Sequence, residues 1–214
     1  MGQDGALSGA ADHLRFAKVS KAAQRREFIR LARANPVNVE ILKRIPDLPL
    51  PQGMLVSGCL YQSVWNGLLG HDPMRGIRDY DLIYFDDSDL SYEAEDKVIR
   101  ECAAAFADLG VEVEVRNQAR VHLWFKDRFG FAYTPLNNAA ESLTRYMCPC
   151  HAVAIEPGKA ETPILHAPYG LNDVFGFIVR PRPGQDGISA SSYTKKATRM
   201  KQLWPELTIQ PLSN

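Results

Sequence analysis

Two carboxylates stand one residue apart at the head of a strand-like segment, Ile77-Arg78-Asp79-Tyr80-Asp81-Leu82-Ile83-Tyr84-Phe85. Successive side chains of a strand point to opposite faces, so Asp79 and Asp81 share one face, roughly 6 to 7 Å apart. Two like charges on one face repel, and neither is cheaply buried without a cation. Mg²⁺ takes oxygen ligands and is commonly held by one or two carboxylates plus substrate phosphates. The pair therefore predicts a divalent-metal site and favours phosphoryl or nucleotidyl transfer.

The composition indicates an ordinary globular protein with no electrostatic bias toward a polyanion or a membrane. The 214 residues are 45% hydrophobic and 23% charged, and the formal net charge is zero. Neutral overall charge gives no general attraction to nucleic acid. Four cysteines in a chain of this length do not predict a disulfide framework. No apolar segment resembles a signal peptide or a membrane span, so we expect a cytoplasmic, reduced protein with no membrane partner.

The order of predicted elements indicates an α+β protein with a mixed sheet flanked by helices. Residues 1–20 are predicted to form a flexible N-terminal tail, and residues 21–214 a single domain that begins with helices. Helical spacing and breakers predict helices over 21–34, 37–44, 60–69, the segment from about 90 to 109, 138–147, 171–175 and 192–203. Strands are predicted over 54–57, 78–85, 111–115, 121–125, 151–155 and 163–165.

A strand, a glycine turn and a helix precede the acidic strand. At Ser57-Gly58 the backbone can approach a phosphate closely, and the N-terminus of the next helix offers unpaired N–H groups. Glu112 or Glu114, on the next strand, can supply a third carboxylate. Three such acids suit a two-metal arrangement in which the third also accepts a proton.

These parts resemble the nucleotidyltransferase superfamily, and more specifically a bacterial family of nucleotidyltransferase-like proteins with an undefined substrate. The resemblance covers about residues 50 to 208 and rests on blocks at 58–66, 77–86, 113–124, 167–175 and 204–207. It implies a nucleotidyltransferase-like fold, with Mg²⁺ (or Mn²⁺) on Asp79, Asp81 and Glu114 and a phosphate-binding turn at Ser57-Gly58.

Two features depart from the superfamily pattern. The turn reads Ser-Gly rather than Gly-Ser, and 20 residues separate Gly58 from Asp79, which is longer than usual. The intervening helix is therefore predicted to be extended, or the Gly70–Gly76 loop to fold over the site.

Three arginines and one segment with two cysteines and a histidine can be interpreted either as functional or as structural. Arg75, Arg78 and Arg120 are candidate nucleotide contacts, because guanidinium groups suit phosphate. The segment Cys148-Pro149-Cys150-His151 is suggestive of zinc, but a structural zinc site needs four ligands and no second Cys/His pair is evident.

We therefore expect an enzyme that transfers a nucleoside monophosphate from an NTP to an unidentified hydroxyl acceptor. The alternative is a degenerate, non-catalytic nucleotide-binding regulatory protein. Nucleic-acid binding through the basic segment Lys21–Arg33 is a third, less favoured interpretation, because the net charge is zero.

Overall fold

A five-stranded mixed sheet organises the fold in the computed structural model, which describes residues 12–158, 162–184 and 189–212. Its strands are β1 (Met54–Val56), β2 (Asp79–Tyr84), β3 (Glu112–Asn117), β4 (Ala154–Glu156) and β5 (Ile164–His166). A separate pair consists of β6 (Ile178–Val179) and β7 (Thr208–Ile209). The helices are α1 (Lys21–Ala32), α2 (Pro36–Arg44), α3 (Gly58–Leu69), α4 (Tyr92–Phe106), α5 (Val121–Phe129), α6 (Asn172–Phe175) and α7 (Ala190–Leu203). The predicted α+β class with a mixed sheet between helices is confirmed.

The strand order places β2 between β1 and β3. The sheet runs β3-β2-β1-β4-β5, with β2 and β3 parallel and the other neighbours antiparallel. In this register Asp81 lies beside Glu114 on β3 and beside Val56 on β1. The acidic strand is thus flanked on one side by further carboxylates and on the other by the strand that leads into α3.

The two faces of the sheet belong to different apolar clusters. Tyr80, Leu82 and Tyr84 pack in the larger core, together with residues of α1 to α4. Ile83 packs in a smaller cluster on the opposite face, with Met54 and Val56. Since side chains alternate along β2, Asp79 and Asp81 project on the face of the smaller cluster.

Helix α3 is the central buried helix, and it ends where Gly70 adopts a left-handed conformation (φ 71°). Trp65 is fully buried and donates from Nε1 to the carbonyl of Val174 at 2.8 Å. Asn66 accepts at Oδ1 from Trp204 Nε1 at 2.8 Å, and its Nδ2 donates to the carbonyl of Arg75 at 2.8 Å. The long spacing between Gly58 and Asp79 is therefore taken up by a loop fastened to α3, and not by an extended helix.

The segment predicted as a strand over 121–125 is instead the start of α5. Alternating Val121, Leu123 and Phe125 imitate a strand, but only Val121 of this helix is buried. The helix ends at Gly130, whose φ of 79° lies in the left-handed region. The predicted helix over 138–147 is a 3-10 helix at Ala140–Arg145.

The predicted N-terminal tail falls partly outside the described residues, which begin at Asp12. Asp12–Leu14 forms a 3-10 helix, and the His13 ring meets Phe177 edge-on at 4.8 Å. Ser20 then caps α1 by accepting from the backbone N–H of Ala23. In the described part of the chain, no helix is long and apolar enough to cross a membrane.

A buried ion pair joins α4 to the end of β3. Glu95 is paired with Arg120, whose Nε also donates to the carbonyl of Leu90 at 2.9 Å. The other Glu95 oxygen accepts from the backbone N–H of Asn117 at 2.9 Å. These contacts give Arg120 a structural role, and its predicted contact with a nucleotide stays a prediction.

Replacing Glu95→Ala leaves the buried Arg120 without its counter-charge. We expect the free energy of unfolding to fall by about 3 kcal/mol, the usual cost of breaking a buried pair from one side. Denaturant titration measures this change. Glu93→Ala, at an exposed position of the same helix, is the control and should change the stability by less than about 0.5 kcal/mol. Equal stabilities of the two variants would contradict this role.

Candidate functional site

The acidic pair lies at an accessible end of the sheet. Asp79 and Asp81 are half-buried, whereas Tyr80 between them is buried on the other face. Asp79 lies beside Glu112, and Asp81 lies beside Glu114. Glu112 is exposed and Glu114 is half-buried. Of the two candidates for the third acid, Glu114 is therefore the less exposed one, and it lies beside Asp81.

The charges of this group are unfavourable to one another. The pKa of Asp81 is raised to about 6, first by burial and then by the negative charges of Asp79 and Glu114. Lys196 and Arg116 act in the opposite direction and offset only part of the repulsion. A bound cation would relieve what remains.

The carboxylate oxygens of Asp79 and Asp81 fit a hard divalent cation such as Mg²⁺. The described residues do not, however, supply all the ligands that such an ion needs. Within residues 12–158, 162–184 and 189–212, no three His, Cys, Asp or Glu side chains are grouped so that they could hold a metal ion. Glu114 is paired with Arg116 at 3.6 Å between Oε2 and Nη2. Two carboxylates with substrate phosphates suffice for Mg²⁺. Asp79 and Asp81 are therefore the residues that would hold such an ion.

The Ser57-Gly58 turn lies next to the acidic pair. It follows Val56, which is the register partner of Asp81. Ser57 has φ 58° and ψ −114°, a strained conformation that costs on the order of 1–3 kcal/mol for a non-glycine residue. Its backbone N–H donates to the carbonyl of Val153 at 2.8 Å, and its side chain does not cap α3. The N–H groups of Gly58 and Cys59 precede the first backbone bonds of this helix, which Leu60 and Tyr61 make to the Ser57 carbonyl. Such N–H groups at a helix start suit an anion.

The predicted basic contacts differ in their availability. Arg75 donates from Nη1 to the carbonyl of Leu203 at 2.8 Å and so fastens the loop after α3 to the end of α7. Arg78 is exposed just before β2 and lines a cavity of about 300 Å³ together with Arg199. Arg78 is thus exposed next to Asp79 in the chain, whereas Arg75 is held by the end of α7, and a phosphate contact by either residue stays a prediction.

Two residues near Asp81 were missed by sequence reasoning. Lys196 on α7 lowers the pKa of Asp81, and the charge of Asp81, after burial, raises the pKa of Tyr146. Both residues lie more than 60 positions from Asp81 in the chain, in segments without a recognisable motif. Only the folded arrangement shows their proximity.

The segment Cys148-Pro149-Cys150-His151 lies in the interior. Burial raises the pKa of the Cys150 thiol and lowers the pKa of His151. The His151 ring stacks on Tyr61 with centroids 5.0 Å apart. The segment therefore packs behind α3, away from solvent.

A mixed α/β sheet that carries an Asp-x-Asp strand beside a turn at a helix N-terminus defines a nucleotidyltransferase-like protein. The chain belongs to a nucleotidyltransferase family, whose model matches residues 43–209. A solved NMR structure, described as revealing a CCA-adding enzyme head domain, is similar with a TM-score of 0.71 and 24% sequence identity. The match covers 92% of this chain and 100% of that one. A search of curated proteins finds no match.

The raised pKa of Asp81 makes a prediction about stability and pH. The folded carboxyl keeps its proton up to about pH 6, whereas in the unfolded chain it loses that proton near the ordinary value of 3.8. The unfolding free energy therefore falls as the pH rises from about 4 to 6. We expect Asp81→Asn to be more stable than the wild type by about 2 kcal/mol at pH 7.5 and equally stable at pH 4.

Urea titrations at both pH values measure this difference. Asp87→Asn removes an exposed carboxylate just after β2 and serves as the control for a general charge effect. If Asp81→Asn were no more stable at pH 7.5 than at pH 4, relative to the wild type, the raised pKa of Asp81 would be refuted.

Proposed function

We propose that this protein transfers a nucleoside monophosphate from an NTP to a hydroxyl acceptor and releases pyrophosphate. The observation that carries the proposal is the burial of Asp81 beside the negative charges of Asp79 and Glu114, next to the strained Ser57-Gly58 turn. Membership of a nucleotidyltransferase family supports the reaction class. The likeness to the solved head domain supports the fold.

Each part of the site has a role in this scheme. The turn and the N-terminus of α3 bind the phosphates of the NTP through backbone N–H groups. Asp79 and Asp81 would hold Mg²⁺ (or Mn²⁺), and that ion would neutralise charge on the reacting phosphates. Glu114 takes the proton of the attacking hydroxyl. Lys196 limits the negative potential around Asp81.

The first test is pyrophosphate release from a panel of NTPs in the presence of Mg²⁺ and a panel of hydroxyl compounds as acceptors. We expect Asp79→Asn to lower the rate by at least about 100-fold, because a ligand of the reacting metal is removed. Asp87→Asn is the matched control and should retain the wild-type rate. Full activity of Asp79→Asn would rule out the proposed site.

A second test measures metal binding in the absence of the transfer reaction. We expect Mn²⁺ to raise the melting temperature of the wild type, because an ion that binds only the folded state stabilises it. Asp79→Asn should lose most of this increase, and Asp87→Asn should keep it. An equal increase in all three proteins would place the ion elsewhere.

The alternative is a degenerate protein that binds a nucleotide for regulation and does not catalyse transfer. The Ser-Gly order of the turn and the pairing of Glu114 with Arg116 favour it. The two functions differ in one outcome. Stabilisation by NTP with no pyrophosphate release supports the regulator, whereas release that depends on Asp79 supports the enzyme.

We propose a cytoplasmic location, which the four free thiols support.

The basic helix α1 makes contacts within the protein. Arg30 is paired with Glu27, and Arg25 donates to the carbonyl of Leu165 at 2.7 Å. These contacts use part of the positive charge of α1, so we do not propose a nucleic-acid partner for this helix.

A further inference from the structure

A cavity of about 270 Å³ lies at β3 and is lined by Arg116 of that strand. Arg116, which lines it, lies two residues after Glu114 on the same face of β3 and is paired with it. Tyr146, also in the lining, lies close enough to Asp81 for that carboxylate to raise its pKa. The cavity therefore opens beside the third carboxylate of the proposed site.

One wall of the cavity is aromatic. Trp124 and Phe125 of α5 form it together with Tyr133 and Tyr146. The rings of Phe125 and Tyr133 lie with centroids 4.7 Å apart, and those of Trp124 and Phe125 lie 6.1 Å apart. Half-buried aromatic faces of this kind suit stacking with a planar ring.

The polar part of the lining is cationic. The guanidinium of Arg145 lies 5.7 Å from the centroid of the Tyr133 ring, and Arg116, which is paired with Glu114, belongs to the same lining. Arg182 also contributes, with its guanidinium bound to the carbonyls of Pro183 and Gly184. Among the described residues of the lining, none is acidic. Guanidinium groups without lining carboxylates favour an anion, and phosphate most of all.

The size of the cavity limits the ligand. Its volume of about 270 Å³ is near the lower end of small-molecule pockets, roughly 300 Å³. A planar ring with one phosphate fits such a space better than a complete nucleoside triphosphate does. The lining and the volume thus agree on a small, flat, singly phosphorylated group.

The strand order indicates on which side of the metal-binding pair this ligand would lie. The phosphate-binding turn follows β1, the metal-binding pair lies on β2, and the cavity begins on β3. In phosphoryl transfer the attacking and leaving oxygens lie on opposite sides of the phosphorus, roughly in line. With the triphosphate on the β1 side, the acceptor must approach from the β3 side.

We propose that this cavity binds the acceptor, and that the acceptor is a planar aromatic compound that carries both a phosphate and a hydroxyl group. The inference rests on the proposed function. The acceptor hydroxyl oxygen bonds to the α-phosphorus of the NTP, and the bond from that phosphorus to the α–β bridging oxygen breaks. Pyrophosphate leaves with the electron pair, and the hydroxyl proton passes to Glu114.

Intrinsic fluorescence offers a direct test, because Trp65 and Trp204 are fully buried and Trp124 alone of the three tryptophans lines the cavity. The probe is phenyl phosphate, a ring phosphate without a hydroxyl group that could react. We expect saturable quenching that Trp124→Phe abolishes. Phenol and inorganic phosphate, each of which supplies one half of the ligand, should bind at least about tenfold more weakly.

Variants of the basic residues test the phosphate contact. Arg145→Gln should weaken binding of phenyl phosphate at least about tenfold, because a charge-assisted hydrogen bond is lost. Arg128→Gln is the control, since Arg128 lies over the exposed Phe129 ring at 5.5 Å and outside the lining. Equal affinities of wild type, Arg145→Gln and Arg128→Gln would overturn the assignment of an anion to this cavity.

A competition experiment separates the acceptor from the base of the donor nucleotide. Phenyl phosphate should bind with unchanged affinity in the presence of saturating Mg²⁺ and a non-hydrolysable NTP. Mutual exclusion would show that the donor occupies the cavity and would overturn the acceptor role. Asp79→Asn should lose pyrophosphate release and keep phenyl phosphate binding. Failure of the transferase reaction and failure of the cavity assignment therefore give different results.

Discussion

The burial of Asp81 beside the negative charges of Asp79 and Glu114 is the constraint on which the site depends. Parallel pairing places Asp81 beside Glu114, and strand alternation places Asp79 on the same face. Burial of Asp81 strengthens the repulsion, since a partly desolvated charge is screened less by water. Lys196 and Arg116 reduce the repulsion without removing it. A fold that keeps these acids together thus retains an attraction for a cation.

The rest of the molecule fixes the position of this group. The large core behind Tyr80, Leu82 and Tyr84 holds β2 in place from the opposite face. Asn66 joins α3 to the following loop and to Trp204, and Arg75 joins that loop to the end of α7. As a result, the turn, the acidic strand and the helix that bears Lys196 form one packed unit. Such preorganisation is what electrostatic stabilisation of a charged transition state requires.

The sequence predicts the central part of this arrangement because the relevant signals are local. Side chains of the strand-like segment Asp79–Tyr84 alternate between two faces, so the sequence predicts the strand and one shared face for the two aspartates. Gly70 predicts the end of α3. The side-by-side placement of Asp81 and Glu114 depends on strand register, which no local pattern specifies. Lys196 and Tyr146 approach Asp81 only through tertiary folding.

Two differences between prediction and structure have the same kind of cause. From the sequence alone Arg120 has no evident partner, because Glu95 lies 25 residues earlier in the chain. Helix α5 imitates a strand because Val121, Leu123 and Phe125 alternate in the sequence, although of this helix only Val121 is buried and no core stripe forms.

The most direct measurement of the central claim is a crystal structure with Mn²⁺ and a non-hydrolysable NTP, with the metal located by its anomalous signal. Our account predicts a peak within coordination distance of both Asp79 and Asp81, about 2.0–2.3 Å for oxygen ligands of such ions. The NTP phosphates should lie between this peak and the Ser57-Gly58 turn. A metal bound elsewhere, with Asp79 and Asp81 unchanged and the nucleotide away from the turn, would contradict it.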